Sequence, residues 1–310
     1  MVVEGQLDMG SGEATTIGHE AVGQVVSVGS TAEARGFKKG DYVGFINAYH
    51  ACFNCDGCKN HYIYCSSGTM VMQGFSCNGY FQEYCVVDSG VSVVLPKDMD
   101  AAVSAPIFCA GITAYQAVLT AKLNSGEWLA VIGCGGLGQL AICYATAMGY
   151  KVIAIDIDDE TLRTAKQSGA AHTFNSRTGK DFVEKIIELT GGGCHACTVF
   201  AAVKAGYDTA PQVLRVGGNL VPVGIAKDDI QISTFDLSMK KFYINAANNA
   251  AQPSELKACA EFTAKHQISS PSRYFKLEQI NEMIETMQKE KMGGYRLVVR
   301  FDDTQEQARL

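Results

Sequence analysis

The stretch that most restricts the fold runs from Trp128 to Asp156. Trp128-Leu129-Ala130-Val131-Ile132 has the length and apolar character of a buried strand, and Gly133-Cys134-Gly135-Gly136-Leu137-Gly138 follows it directly. A helix-period stretch, QLAICYATAMG, comes next, then a second strand-like run, KVIAID, that ends in Asp156. In that setting the G-x-G-x-x-G spacing gives a tight bend, close approach of the backbone to a pyrophosphate, and close packing of helix on strand. The first helical turn offers N–H groups and a partial positive charge to the phosphates. Gly133, Gly135, Gly136, Leu137 and Gly138 are therefore candidate cofactor-binding residues. Asp156 lies 23 residues after Gly133, where a carboxylate accepts hydrogen bonds from an adenosine ribose and repels a 2′-phosphate. The expected cofactor is NAD rather than NADP. A glycine turn serving packing alone is the competing reading.

The same alternation continues downstream. ACTVFAA and NLVPVG are compact apolar runs, and DDETLRTAKQSGA and KDFVEKIIELTGG have helical periodicity. Strands alternating with helices of this length predict a doubly wound parallel sheet over residues 107–249. Residues 1–106 have a different character. Short runs punctuated by glycine (EAVGQVVSVG, GDYVGFI, FQEYCVVD and VSVVLP) predict a β-rich domain. Residues 250–310 show one helical stretch, LEQINEMIETMQKE, and a final strand, YRLVVRF. This tail is too short for a domain and is expected to pack back onto residues 1–106. Two domains suit a chain of 310 residues.

Composition excludes several function classes. A net charge of −6 and the lack of a Lys/Arg cluster argue against a nucleic-acid partner. No apolar run reaches the roughly 18–20 residues needed to span a bilayer. The stretch MVVEGQLDMGSGE has neither the basic nor the apolar region of a secretory signal. The expected location is the cytoplasm, a reducing compartment in which closely spaced thiols read as metal ligands before disulfides.

Of the 12 cysteines, Cys52, Cys55, Cys58 and Cys65 fall within CFNCDGCKNHYIYC. Four thiolates at this spacing close a tetrahedral zinc shell with no open position, the signature of a structural site. Disulfides or unpaired thiols are the alternatives. CHAC at Cys194–Cys197 has a C-x-x-C spacing, but it enters an apolar run and has no second ligand pair nearby, so it reads as strand. Cys77, Cys85, Cys134, Cys143 and Cys259 read as small buried or half-buried residues.

A second metal site is half visible. Gly18-His19-Glu20 offers a ligand, and Cys109, in APIFCAGITAYQAV, fits a core position and a metal ligand equally well. A catalytic zinc takes about three protein ligands and keeps one position open.

Taken together, Gly18-His19-Glu20, the four-cysteine lobe, APIFCAGITAY and GCGGLG resemble the zinc-dependent alcohol dehydrogenases of the medium-chain dehydrogenase/reductase family, most closely the yeast-type tetrameric branch. The resemblance covers essentially the whole chain. It implies a GroES-like catalytic domain from 1–106 and 250–310, N-terminally incomplete, and an inserted Rossmann domain at 107–249. It further implies hydride transfer between NAD and a small-molecule alcohol, aldehyde or ketone, and a homo-oligomer, either tetramer or dimer. His19 and Cys109 match catalytic zinc ligands, and Glu20 matches the acid beside the metal that can swing in as a ligand. Thr113 matches the residue against the nicotinamide, and Arg296, in GGYRLVV, resembles the arginine that reaches the pyrophosphate.

Two departures stand out. The lobe has six residues between Cys58 and Cys65, where the family commonly has seven. Residues 1–17 contain no Cys and no His, whereas the family's remaining zinc ligand is a Cys in a Cys-His-Ser/Thr-Asp segment shortly before Gly-His-Glu. That segment would fall just before Met1, so the expectation is that Met1 is an internal methionine of a longer reading frame. Glu20, Glu4, Asp8 or Glu13 are the carboxylates able to stand in for the cysteine. A rival reading is a non-catalytic NAD-binding homologue that retains only the structural zinc. Zinc-free quinone or enoyl reductases of the same family lack the four-cysteine lobe, which counts against them.

Overall fold

A computed structural model describes residues 15–247, 252–289 and 292–301. The contacts divide the chain into two compact units, one of residues 1–112, 250–290 and 297–310, the other of residues 113–249 and 291–296. No helix among the described residues is long and apolar enough to cross a membrane.

In the first unit, β1 (Ala21–Gln24), β2 (Tyr42–Phe45) and β5 (Ser92–Val94) form an antiparallel sheet in the order β1-β2-β5, and β3 (Ala48–Tyr49) pairs with β4 (Val71–Met72). Val43 and Phe45 of β2 are buried together with Tyr80, with Ala21, Val25, Phe37 and Val87 packed around them. FQEYCVVD, expected as a strand, forms bends and open loop instead. Its first backbone N–H, of Phe81, donates to Ile17 O, and the next, of Gln82, turns back to Tyr80 O, so the segment does not open as a regular ladder. As a consequence Cys85 is exposed, not buried or half-buried as expected.

The tail contains two helices where one was expected. Pro253–Lys265 begins with proline in its first turn and a capping box between Gln252 and Glu255, and it packs against β5; Ile280–Gln288 is the second. Gln252 also donates from Nε2 to the Cys58 carbonyl at 3.1 Å.

The second unit is a six-stranded sheet: β6 (Trp128–Ile132), β7 (Lys151–Asp156), β8 (His172–Asn175), β9 (Cys194–Val199), β10 (Leu214–Pro222) and β11 (Phe242–Ile244). The order is β11-β10-β9-β6-β7-β8, with every neighbouring pair parallel. This is the doubly wound Rossmann order, in which the chain reverses direction between β6 and β9. Helices Gly136–Ala147, Asp159–Gln167, Phe182–Thr190 and Lys204–Val213 supply successive crossovers. Burial on both faces explains the unbroken apolar runs 129–132 of β6 and 152–155 of β7. Asp158 starts Asp159–Gln167 by accepting from Thr161 N at 2.7 Å, and Gly191, at φ 67°, ends Phe182–Thr190. The last two strands, β12 (Ser272–Phe275) and β13 (Arg296–Val299), pair with each other.

Candidate metal sites and dinucleotide cradle

The four-cysteine lobe brings its sulfurs together. The donor atoms of Cys52, Cys55, Cys58 and Cys65 all lie within 4.8 Å of one another, and Cys52 Sγ is 3.9 Å from Cys58 Sγ. A zinc–sulfur bond of about 2.3 Å puts tetrahedral sulfurs about 3.8 Å apart, so the donor set fits zinc despite the shorter Cys58–Cys65 spacing. Backbone N–H groups already point at the sulfurs. Cys58 N and Ser66 N each donate to Cys55 Sγ at 3.4 Å, and Cys52 N donates to Cys65 Sγ at 3.4 Å. Hydrogen bonding from Ser66 lowers the Cys55 thiol to about 5, and the hydrogen bond with Ser67 lowers Cys65 to about 7. Cys58 has no exposed surface, and burial pushes its thiol up to about 12. Thiols lowered in this way favour capture of the cation, and a bound dication would supply the charge that ionises the buried one.

The second cluster joins residues far apart in sequence. His19, Glu20 and Cys109 offer one donor atom each, all within 4.8 Å of one another. One nitrogen, one carboxylate oxygen and one sulfur suit a borderline-soft cation such as zinc. Glu4, Asp8 and Glu13 lie outside the described residues. His19 Nε2 is 3.9 Å from Glu20 Oε1, and the Phe75 ring lies against the imidazole with centroids 4.9 Å apart.

Backbone pairing holds the Gly18-His19-Glu20 segment in place. Gly79 N donates to Thr16 O at 2.6 Å, Phe81 N to Ile17 O at 3.1 Å, and Tyr80 N to Gly18 O at 3.0 Å, while Thr16 N donates to Asn78 Oδ1 at 2.9 Å. Gly18 has φ 98°, a conformation that favours glycine, and a Cβ there would lie 3.1 Å from the Phe81 ring. Tyr80 anchors the pairing loop from below. Its hydroxyl oxygen lies 3.2 Å from Ile46 O and 3.0 Å from Gln73 Oε1, and burial raises its pKa far above the ordinary value. Cys109 follows the 3₁₀ turn Ala105–Phe108, whose fully buried Phe108 ring covers Gly44 of β2 so closely that no side chain fits at 44. Thr113 lies one turn further along helix Ala110–Thr120 and is half-buried.

In the second unit the glycine turn falls at the carboxyl end of β6, beside the reversal of strand order where open parallel sheets bind ligands. Gly133, at φ 84°, packs against the backbone of Ala201 after β9, and Gly138 packs against the Gly133 carbonyl. Both contacts exclude a side chain. Gly135 is exposed, with no heavy atom within 4 Å of where a Cβ would stand. It is the N-cap of helix Gly136–Ala147, and no side chain caps that end. Arg296 brings its side chain over Gly136, and Leu137 is half-buried beside it. A turn with open backbone at an uncapped helix N-terminus, next to an arginine, fits a pyrophosphate.

Asp156 is built into this turn. Its Oδ2 accepts from Cys134 N at 2.7 Å, and its Oδ1 accepts from Ile157 N at 2.7 Å and Asp158 N at 3.1 Å. Sequence reasoning placed this carboxylate correctly at the end of β7 but gave no sign of its grip on the glycine turn.

CHAC is strand β9. Cys194 and Cys197 are fully buried, burial pushes both thiols up, and His195 accepts from Trp128 N at 3.1 Å through Nδ1. His195 Nε2 lies 2.6 Å from Arg215 Nη1 and 3.7 Å from Glu127 Oε1, at the amino ends of the strands and away from the glycine turn.

The comparisons with known proteins agree with this geometry. Residues 1–97 match the family model described as an alcohol dehydrogenase GroES-like domain, and residues 136–265 match that of a zinc-binding dehydrogenase. An alcohol dehydrogenase of Geobacillus stearothermophilus is 35% identical over 291 residues, covering 92% of this chain and 82% of its own. One from Moraxella sp. (strain TAE123) is 33% identical over 287 residues, with the same coverage of each chain. Among solved structures, the alcohol dehydrogenase of the archaeon Aeropyrum pernix superposes with a TM-score of 0.80 at 28% identity, covering 91% of this chain and 82% of its own. The chain belongs to the zinc-dependent alcohol dehydrogenases of the medium-chain dehydrogenase/reductase family.

Proposed function

We propose that the protein transfers hydride between NAD and a small alcohol, aldehyde or ketone, with a catalytic zinc held by His19, Cys109 and Glu20 and a structural zinc held by Cys52, Cys55, Cys58 and Cys65. The convergence of His19, Glu20 and Cys109, separated by up to 90 positions in sequence, carries this reading. Zinc bound there would supply Lewis acidity toward the alcohol oxygen, and a bound nicotinamide would supply the hydride acceptor. The chain's own part is binding and orientation. Gly18 and its pairing loop fix the direction of His19, and Phe108 fixes that of Cys109. The glycine turn with Arg296 cradles the pyrophosphate, Asp156 faces the ribose and disfavours a 2′-phosphate, and Thr113 lies against the nicotinamide.

We also propose a cytoplasmic homo-oligomer, either tetramer or dimer. Strand β11 is an open sheet edge, and Phe235, Met239 and Tyr243 near it are largely exposed, a surface that favours a second copy.

The test combines elemental zinc analysis of the full chain with absorbance at 340 nm during incubation with NAD and a panel of primary and secondary alcohols. Two zinc ions per chain and NADH formation that a chelator abolishes are the expected results. One tightly held zinc, with no NADH formed from any alcohol, would refute the catalytic reading in favour of a non-catalytic NAD-binding homologue.

A further inference from the structure

Gln139 is fully buried in the first turns of helix Gly136–Ala147, where sequence alone suggests nothing more than a helix former. Its Nε2 donates to the Cys134 carbonyl at 2.7 Å and to the Thr161 carbonyl at 3.1 Å, and its Oε1 accepts from Ser168 Oγ at 2.8 Å. Two carbonyls on one atom and a hydroxyl on the other suit an amide in one orientation only. A carboxylate would repel both carbonyls, and an aliphatic side chain would leave them unpaired in the interior. The Cys134 carbonyl is therefore held inward. Every peptide bond among the described residues is trans, so holding a carbonyl inward turns the N–H across the same peptide plane outward. That N–H belongs to Gly135, an exposed residue with open space where a Cβ would stand, whereas the preceding N–H, of Cys134, is already bound to Asp156. Glycine at 135 would otherwise let this peptide rotate and present its carbonyl oxygen to an anion.

We propose that Gln139 is a positioning residue for the dinucleotide: by holding the Cys134–Gly135 peptide it aims the Gly135 N–H at a pyrophosphate oxygen. Ser168 acts through Gln139, keeping the amide from turning over. The proposal rests on the dinucleotide reading given above, and it assigns to an interior side chain a part in cofactor affinity that touches no cofactor atom.

The test measures NADH binding to the full chain by fluorescence titration without alcohol, alongside thermal unfolding. It adds the amide spectrum of protein labelled with ¹⁵N-glycine, with the Gly135 signal assigned by its loss in Gly135→Ala. Gln139→Leu should weaken NADH binding about tenfold, the worth of one hydrogen bond to a charged acceptor. It should also abolish the shift of the Gly135 amide on NADH addition. Ser168→Ala should weaken binding by a smaller factor, roughly twofold to threefold. Unchanged NADH affinity in Gln139→Leu, or a Gly135 amide that still shifts as in the unmodified protein, overturns the proposal even if the melting temperature falls. Should Gln139→Leu fail to fold, Ser168→Ala decides, and unaltered affinity there overturns it. If the unmodified protein itself binds no NADH, the dinucleotide reading falls first and takes this inference with it.

Discussion

Asp156 offers a sharp test, because the turn-holding role shown by its hydrogen bonds can be measured apart from the ribose-facing role proposed for it. In Asp156→Asn the amide keeps a single acceptor oxygen. The Oδ1 position serves two N–H groups, so the oxygen will stay there and the new NH₂ will face Cys134 N, a donor, at the 2.7 Å now occupied by an acceptor. One charge-assisted hydrogen bond is lost and two donors are brought together, at a cost of about 2–4 kcal/mol by the usual worth of such bonds. For a unit of this size that is a fall in melting temperature of roughly 5–10 °C. The decisive sample is the protein without NAD, followed by circular dichroism during heating. A carboxylate that only awaits a ribose would leave that melting curve in place while weakening NADH binding. A fall of under about 1 °C in Asp156→Asn would refute the claim that the side chain holds the glycine turn.

Three further outcomes are expected. Cys58→Ser should leave the protein with one zinc fewer by elemental analysis and make residues 52–65 the first site of proteolysis, because the lobe has few buried apolar side chains to replace the metal. Gly18→Ala should cost about 1–3 kcal/mol through the left-handed backbone and the Phe81 contact, and should strip zinc from the His19 cluster while the cysteine lobe stays loaded; retention of both ions would contradict the positioning argument. His195 has its pKa lowered by burial and by Arg215 against the opposing pull of Glu127, so the unfolded chain takes a proton that the folded one resists. Stability should therefore be full above the ordinary histidine value of 6.5 and decline as the pH drops below it, and urea midpoints of His195→Gln should show a shallower decline.

The Rossmann half was legible because a doubly wound sheet writes itself locally. Each strand is a buried run, each crossover has its own period, and the Gly133–Gly138 spacing sits within one βαβ unit, although Ala201 and Arg296, which pack against it, come from far downstream. The cysteine lobe was legible for the same reason, since its four donors span fourteen positions. FQEYCVVD alternates as a strand does, yet its first N–H, of Phe81, goes to Ile17 beside those of Gly79 and Tyr80 to Thr16 and Gly18, a pairing across about 60 residues that no local pattern encodes. Helix Pro253–Lys265 did carry a signal, a proline at its start with Glu255 completing a capping box, and that was overlooked. Gln139 carried none, because a glutamine early in a helix reads as solvent-facing until its three partners are known.

The two metal clusters differ in how much chain must be gathered before they exist. Cys52 and Cys65 are 13 positions apart, His19 and Cys109 are 90 apart, and closing the longer loop costs about 1.7 kcal/mol more chain entropy. The lobe is complete once a short ribbon has left the ribosome and can take up its ion while the rest is still unformed. The His19 cluster waits for the sheet, the pairing loop and the turn at Phe108. With zinc in both clusters, as proposed, metal loading would follow a built-in sequence, in which the first ion helps a small piece of chain to fold and the second arrives in a site that folding has already made.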